Sequence, residues 1–241
     1  MTYKNAILDL FGISECENIF RIFVCMATEK TKQIITELKI KLKNELPGNA
    51  SRSLLAPKYN GVNRIDPPTK SSKKSAVLLL LWEVNEKLHI VFTLRSFHLL
   101  DHSGQISFPG GQKENNETNS ETALRETLEE IGIPSNAIEV LGELTPIYVM
   151  PSNSHIFPVV GYAKNYLDFR VNKDEVEEVF YKPLDFFSFN NVKVEKWNIR
   201  GEEIDVPFWE VHPAVSLWGA TAMILAEFIE IYRNIGVINS K

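Results

Sequence analysis

GQKENNETNSETALRETLEEIGI, residues 111–133, decides how this chain reads. Its second half is a helix by local chemistry. Thr118 and Glu121 stand at the spacing of a capping box, in which a threonine hydroxyl and a glutamate carboxylate each satisfy a free backbone N–H at the helix start. Gly132 and Pro134 then stop it. At about 100° per residue, Glu126, Glu129 and Glu130 fall within one narrow arc. Leu124, Thr127, Leu128 and Ile131 fall on the opposite side, and are expected to face the core. Three carboxylates on one turn repel by a few tenths of a kcal/mol per pair. A divalent cation offsets that repulsion, and magnesium prefers hard oxygen ligands beside a substrate phosphate. A solvated acidic face on a surface helix explains Glu-x-x-Glu-Glu equally well when those residues are taken alone.

Working outward, the hydrophobic period changes on both sides of this stretch. Upstream, SAVLLLLWEV (75–84) and LHIVFTLR (88–95) read as buried strands around an Asn85-Glu86-Lys87 turn. Residues 96–119 read as loop, broken by Pro109-Gly110-Gly111. Downstream, strands are expected at about 137–149, 155–163 and 176–184, with a hairpin around Arg200-Gly201 and an apolar helix from about Ala214 to Tyr232. Before the strands, Ile34, Ile35, Leu38 and Leu42 recur at helical spacing until Pro47-Gly48. Strands with helices before, between and after them predict an α/β/α sandwich with a central mixed sheet and a loop–helix–loop motif at 111–133. The expected layout is an N-terminal extension over 1–28, a helix and arm over 29–74, and the main domain over 75–241. The extension carries no motif, and translation from Met26 is expected to suffice.

Composition excludes several function classes. The net charge is −5 with no long basic run, which argues against a nucleic-acid partner. Two cysteines, Cys16 and Cys25, rule out a disulfide framework or a four-cysteine zinc site. They fit a reducing cytoplasm, where we expect the protein. No apolar run approaches the ~18 residues of a membrane span. A homodimer stays open.

Gly111, Glu117, Arg125, Glu126, Glu129, Glu130, Gly132 and Ile133 together resemble the Nudix box, G-x5-E-x7-R-E-U-x-E-E-x-G-U, with Thr127 standing at an aliphatic position. The resemblance implies a magnesium- or manganese-dependent hydrolase acting on a small nucleoside diphosphate derivative. It implies Gly111, Glu126, Glu129 and Glu130 as metal ligands, Glu129 and Glu130 as catalytic groups, and Arg125 as the residue that holds the acidic helix in place. Glu129 reads as a third ligand or as the base that takes a proton from the attacking water. Glu175, Glu177 and Glu178 stay open as the base, because in this family it sometimes lies on a later loop.

FTLRSFHLLDHSGQISFPGG (92–111) resembles the extension of the coenzyme A diphosphatase branch, through Thr93, Arg95, Ser96, Leu99, His102, Gly104, Phe108, Pro109, Gly110 and Gly111. LLAP (54–57), PVVGYA (158–163), NKDEVEEVFYKPL (172–184) and LWGATAMIL (217–225) look like further segments of that branch. The resemblance implies Arg95, Ser96 and His102 as substrate-binding residues. Members often carry an arginine where this chain has Leu100, which removes a cation from the expected anion site. Other readings are a Nudix hydrolase for ADP-ribose, a dinucleotide or another nucleoside diphosphate derivative, and a non-catalytic Nudix binding module. The zinc-containing NADH branch is disfavoured, since its clustered cysteines are missing.

Overall fold

The computed structural model describes residues 27–59, 61–63, 67–98, 104–114, 116–165 and 167–235. The extension 1–26, His102 and Leu100 lie outside these residues.

Two long strands form the spine, β3 (Lys73–Val84) and β4 (Lys87–Arg95), joined by a tight turn in which Asn85 and Glu86 both take positive φ. Their alternation decides the layers. Leu79 and Leu81 of β3, with Ile90, Phe92 and Leu94 of β4, enter one core, while Ala76, Leu78, Leu80, Trp82 and Val91 enter the other. A strand shows successive side chains to opposite faces, so a run apolar at every position needs cover on both sides. Cover comes from α1 (Glu29–Lys41) and a long C-terminal helix, Gly219–Arg233, on one face. The box helix, Asn119–Ile131, covers the other through Ala123 and Ile131.

The remaining strands are β5 (Ile106–Ser107), β6 (Gly110–Gln112), β7 (Ile138–Glu143), β8 (Ile147–Val149), β9 (Ser154–Ala163) and β10 (Val176–Pro183). The sheet runs β10-β4-β3-β9-β7, with β5 on β4, β6 on β3 and β8 on β9. Among the described residues, only β3 and β9 pair in parallel, which makes the sheet mixed. This is the expected α/β/α sandwich.

The stretch 96–119, read from the sequence as loop, holds the short strands β5 and β6, which find edges on β4 and β3, and two boundaries also differ. The single strand expected over 137–149 is two, because 144–146 turns aside: Leu144 N–H donates to the Pro158 carbonyl and the Thr145 and Pro146 carbonyls accept from Arg52. The last helix begins at Gly219, not Ala214, since Trp209 and Leu217 first form a bridge.

The segment 29–74 is stitched into the rest. Its short helix α2 (Asn49–Arg52) carries Arg52 against Glu227 of the C-terminal helix, both fully buried. The arm contributes β1 (Lys58–Tyr59) and β2 (Val62–Asn63) to a second sheet, β11-β12-β1-β2, whose outer hairpin is β11 (Lys193–Ile199) and β12 (Glu202–Phe208). The box helix is α3 and the C-terminal helix is α4.

Candidate active site

The site grows from the ends of three elements. Helix α3 starts with both halves of the capping box: Thr118 Oγ1 accepts from Glu121 N–H, and Glu121 Oε2 accepts from Thr118 N–H at 2.7 Å. Such a cap contributes about 1 kcal/mol. Gly132 closes the helix in the left-handed conformation, φ 74°, against Arg170, whose Cβ leaves no room for a side chain.

Strand β6 approaches α3 closely. A Cβ on Gly111 would stand 2.4 Å from the Glu126 carboxylate, and one on Gly110 would stand 2.4 Å from the Ala76 carbonyl. Glycine at both positions lets the loop lie flat between β3 and the acidic face of α3. Gly110 N–H then donates to Glu130 Oε2 at 3.2 Å. Arg95 sits at the end of β4 on the α3 side, and its Nη1 is 3.9 Å from Glu130 Oε1. Its Nε is buried with no hydrogen-bond partner among the described residues. A guanidinium with a spare donor beside a carboxylate suits an anionic phosphate.

This geometry corrects the helical wheel. Glu130 does not face away from the buried stripe; it is 2% exposed, while Leu128, assigned to the core, is 49% exposed. The helix buries Thr122, Ala123, Thr127, Glu130 and Ile131. The reason is that α3 lies on β3 and β6 with Glu126 and Glu130 turned inward, so the Gly110-Gly111 backbone occupies the space that apolar side chains fill elsewhere.

Burial has an electrostatic cost. Desolvation pushes the Glu130 carboxyl up to about 8, against the opposing pull of Arg95 and the Gly110 N–H. It also raises Glu126, with Arg125 opposing. Carboxylates held this way release their strain to a divalent cation.

Arg125 organises the rest. Its Nη1 donates to Glu126 Oε1 at 2.8 Å and Glu129 Oε2 at 3.0 Å, and its Nη2 donates to the Gln112 carbonyl at 3.1 Å. Glu117 receives the guanidinium in two-point fashion and accepts from Thr122 Oγ1 and Glu114 N–H as well. Those hydrogen bonds, Arg125 first, hold its carboxyl down at about 2.

The alternative bases separate. The turn 170–176 is tied to the end of α3, where Arg170 and Asn172 N–H groups donate to the Ile131 and Glu130 carbonyls. That tether brings Glu175 near enough to raise the proton affinity of both Glu126 and Glu130. Glu178 pairs in register with Leu94, on the other face, and contacts His212 Nε2 at 3.2 Å. Glu177 is exposed at the β10 bulge. Ser96 is fully buried; its N–H donates to the Glu175 carbonyl and its Oγ accepts from His98 N–H, so it ties the end of β4 to the Glu175 turn. The sequence reading marks Glu175 and the segment 172–184 but not this tether, which joins residues far apart in the chain.

Among the described residues, no three carboxylate, imidazole or thiol groups form a ready-made metal cage. Magnesium does not require one, since it takes one or two carboxylates and keeps its waters. Glu126 and Glu130, beside the Gly111 cradle, are donors of the right hardness.

The site is thus a glycine loop laid against an arginine-braced acidic helix on a mixed-sheet sandwich. Residues 72–204 match the NUDIX domain, and the chain belongs to that family. It is 39% identical over 127 residues to the peroxisomal coenzyme A diphosphatase NUDT7 of Mus musculus, covering 52% of this chain and 53% of that protein. It is 33% identical over 168 residues to the mitochondrial Nudix hydrolase 15 of Arabidopsis thaliana, covering 66% and 59%. It is 41% identical over 141 residues to the uncharacterized Nudix hydrolase NudL of Yersinia enterocolitica, covering 56% and 70%. The chain spans about half the length of the first two curated relatives it matches. Among solved structures, the Nudix hydrolase RenU from M. Smegmatis aligns with a TM-score of 0.41 at 19% identity, covering 47% of this chain and 72% of that one.

Proposed function

We propose that this chain is a magnesium- or manganese-dependent diphosphatase that cleaves coenzyme A or its derivatives to adenosine 3′,5′-bisphosphate and 4′-phosphopantetheine. The observation that carries it is the convergence of Glu126, Glu130, the Gly110-Gly111 backbone and Arg95 at one point. Those groups suit a metal and a phosphate together. The coenzyme A reading is supported by the 92–111 resemblance and by the printed name of the mouse relative.

A bound divalent ion neutralises diphosphate charge and activates water, as Nudix hydrolases generally require. The protein's own groups do the following. Water oxygen bonds to phosphorus while the bridging anhydride oxygen leaves with its electron pair. Glu129 or Glu175 takes the water proton, a contribution of typically 10²–10⁴-fold. Arg95 braces the phosphate, and Arg125 bridges Glu126 and Glu129 through one nitrogen and fixes both carboxylates. His102 stays in this proposal as a substrate contact. So do a small-molecule partner without nucleic acid, and a cytoplasmic location. No helix among the described residues is long and apolar enough to cross a membrane.

The test is turnover with magnesium and equal concentrations of coenzyme A, acetyl-coenzyme A, ADP-ribose, NADH and diadenosine polyphosphates, with products identified by mass. Preference for coenzyme A species is expected. Cleavage of ADP-ribose or a dinucleotide with coenzyme A untouched sinks the substrate, and no metal-dependent turnover at all sinks the enzyme.

A further inference from the structure

A second group of side chains stands beside the N-terminus of α3, outside the carboxylate cluster. Strand register builds it. Lys74 pairs with His155 and Ala76 with Phe157 across the parallel β3–β9 ladder, so all four side chains share the α3 face. Gly111 pairs with Ala76 and meets Glu126 on that same face. Two residues further on, Lys113 N–H donates to the Lys74 carbonyl, and the Lys113 ammonium lies 5.9 Å from the Phe157 ring centre. It also donates to Asn119 Oδ1 at 2.9 Å. The His155 and Phe157 rings stand 4.5 Å apart and form a floor. Tyr148, opposite His155 in register, borders it.

The charge on this shelf is unbalanced. Among the described residues, neither Lys74 nor Lys113 has a carboxylate oxygen within ion-pair distance. The two nearby acids are occupied: Glu143 accepts from Asn119 Nδ2 at 2.8 Å, and Glu121 is spent on the helix cap. Desolvation lowers the proton affinity of the partly buried His155, and the Lys74 charge adds to it. Lys113 acts on the Glu121 carboxylate only from a distance, so two cations over an aromatic floor, with no ion pair among the described residues, call for an anion from outside. The shelf lies two strand residues from Gly111, roughly 7 Å along the chain. That places it within reach of a substrate whose diphosphate sits at Glu126 and Glu130.

We propose that Lys74 and Lys113, above the His155–Phe157 floor, bind a phosphate monoester carried on the nucleotide half of the substrate, separate from the diphosphate being cut. The assignment rests on the diphosphatase reading above. It supplies the cation that Leu100 does not, and makes the ribose phosphate a specificity determinant.

Two measurements on the full chain in magnesium test it. Calorimetric titration should show adenosine 3′,5′-bisphosphate binding about tenfold more tightly than AMP, the size of one charge-assisted contact. Lys74→Gln with Lys113→Gln should bring that ratio close to one, while Lys74→Arg with Lys113→Arg keeps most of it, with far-UV circular dichroism unchanged in both. Turnover should follow, with the preference for coenzyme A over 3′-dephospho-coenzyme A collapsing in the glutamine double variant. Equal binding of the two nucleotides by the natural chain overturns the proposal. A preference that survives the double glutamine substitution overturns it too. If coenzyme A is not cleaved but the lysine-dependent preference for the bisphosphate holds, the shelf stands and only the substrate reading falls.

Discussion

The Arg125 guanidinium and the Glu117 carboxylate meet edge to edge, Nε on Oε1 at 2.8 Å and Nη2 on Oε2 at 3.2 Å. Glu117 belongs to the loop before α3 and Arg125 to its middle turn, so the pair fixes loop and helix as one body. The same guanidinium holds Glu126, Glu129 and the Gln112 carbonyl.

Lysine at 125 keeps one charge but loses the planar fork. Arg125→Lys should lower turnover or raise the magnesium requirement by about 10–100-fold, as loss of an orienting partner usually does. Circular dichroism should stay unchanged. Wild-type kinetics in a magnesium titration would show that the brace is ornamental to the chemistry.

Glu130 makes a pH prediction for the metal-free protein. Its folded value, about 8, lies above the ordinary 4.5, so the folded state holds a proton that the unfolded chain releases. The folded state is therefore favoured by this group below the unfolded value, and that favour is lost as pH rises through the folded one. Melting temperature in chelator should fall from about pH 5 to about pH 9, and Glu130→Gln should remove at least ~2–4 °C of that fall, the shift that 1 kcal/mol gives a domain of this size. The same variant should have no turnover. An identical pH profile for both proteins contradicts the burial argument, and turnover near wild type removes Glu130 from the chemistry.

Gly111→Ala puts a methyl group 2.4 Å from the Glu126 carboxylate, which must swing aside. The carboxylate is the flexible end of a side chain, so the fold should survive while the metal position does not. Magnesium activation should weaken by an order of magnitude or more, on the scale of a disturbed ligand shell. Unchanged activation would mean that Glu126 is not a ligand.

The Arg52–Glu227 pair is structural. Both side chains are fully buried; Glu227 also accepts from Gly48 N–H at 3.1 Å and Thr145 Oγ1 at 2.6 Å, and Arg52 donates to the Thr145 and Pro146 carbonyls. Glu227→Gln leaves a buried guanidinium without its counter-charge and should cost about 3–5 kcal/mol in urea unfolding. A loss under about 1 kcal/mol would show that the backbone carbonyls suffice.

Removal of residues 1–25 should leave turnover and melting temperature unchanged. That segment holds none of the box residues and none of the residues of the 92–111 match. Insolubility of the chain beginning at Met26 would refute it.

Much of this protein is written locally. The capping box at Thr118 and Glu121, the stop at Gly132, and the apolar runs of β3 and β4 depend on neighbours within a few residues, so the sequence determines them unaided. The box residues are legible for the same reason, since six of the seven that match as fixed types stand on one loop and helix or at that helix's end. What the sequence leaves open depends on long-range approach. A helical wheel separates faces but does not say which face meets protein, and two glycines on a distant strand decide that Glu130 is buried and Leu128 exposed. Arg95 reaches Glu130 only because β4 ends beside α3, and Glu175 nears the cluster only because Asn172 ties its turn to the Glu130 carbonyl. The arm at 58–63 carries no strand pattern of its own, and β12, over 130 residues later, offers it an edge to pair with. Such contacts are fixed by packing of the whole chain, where the free energy of burial outweighs the preferences of any single segment.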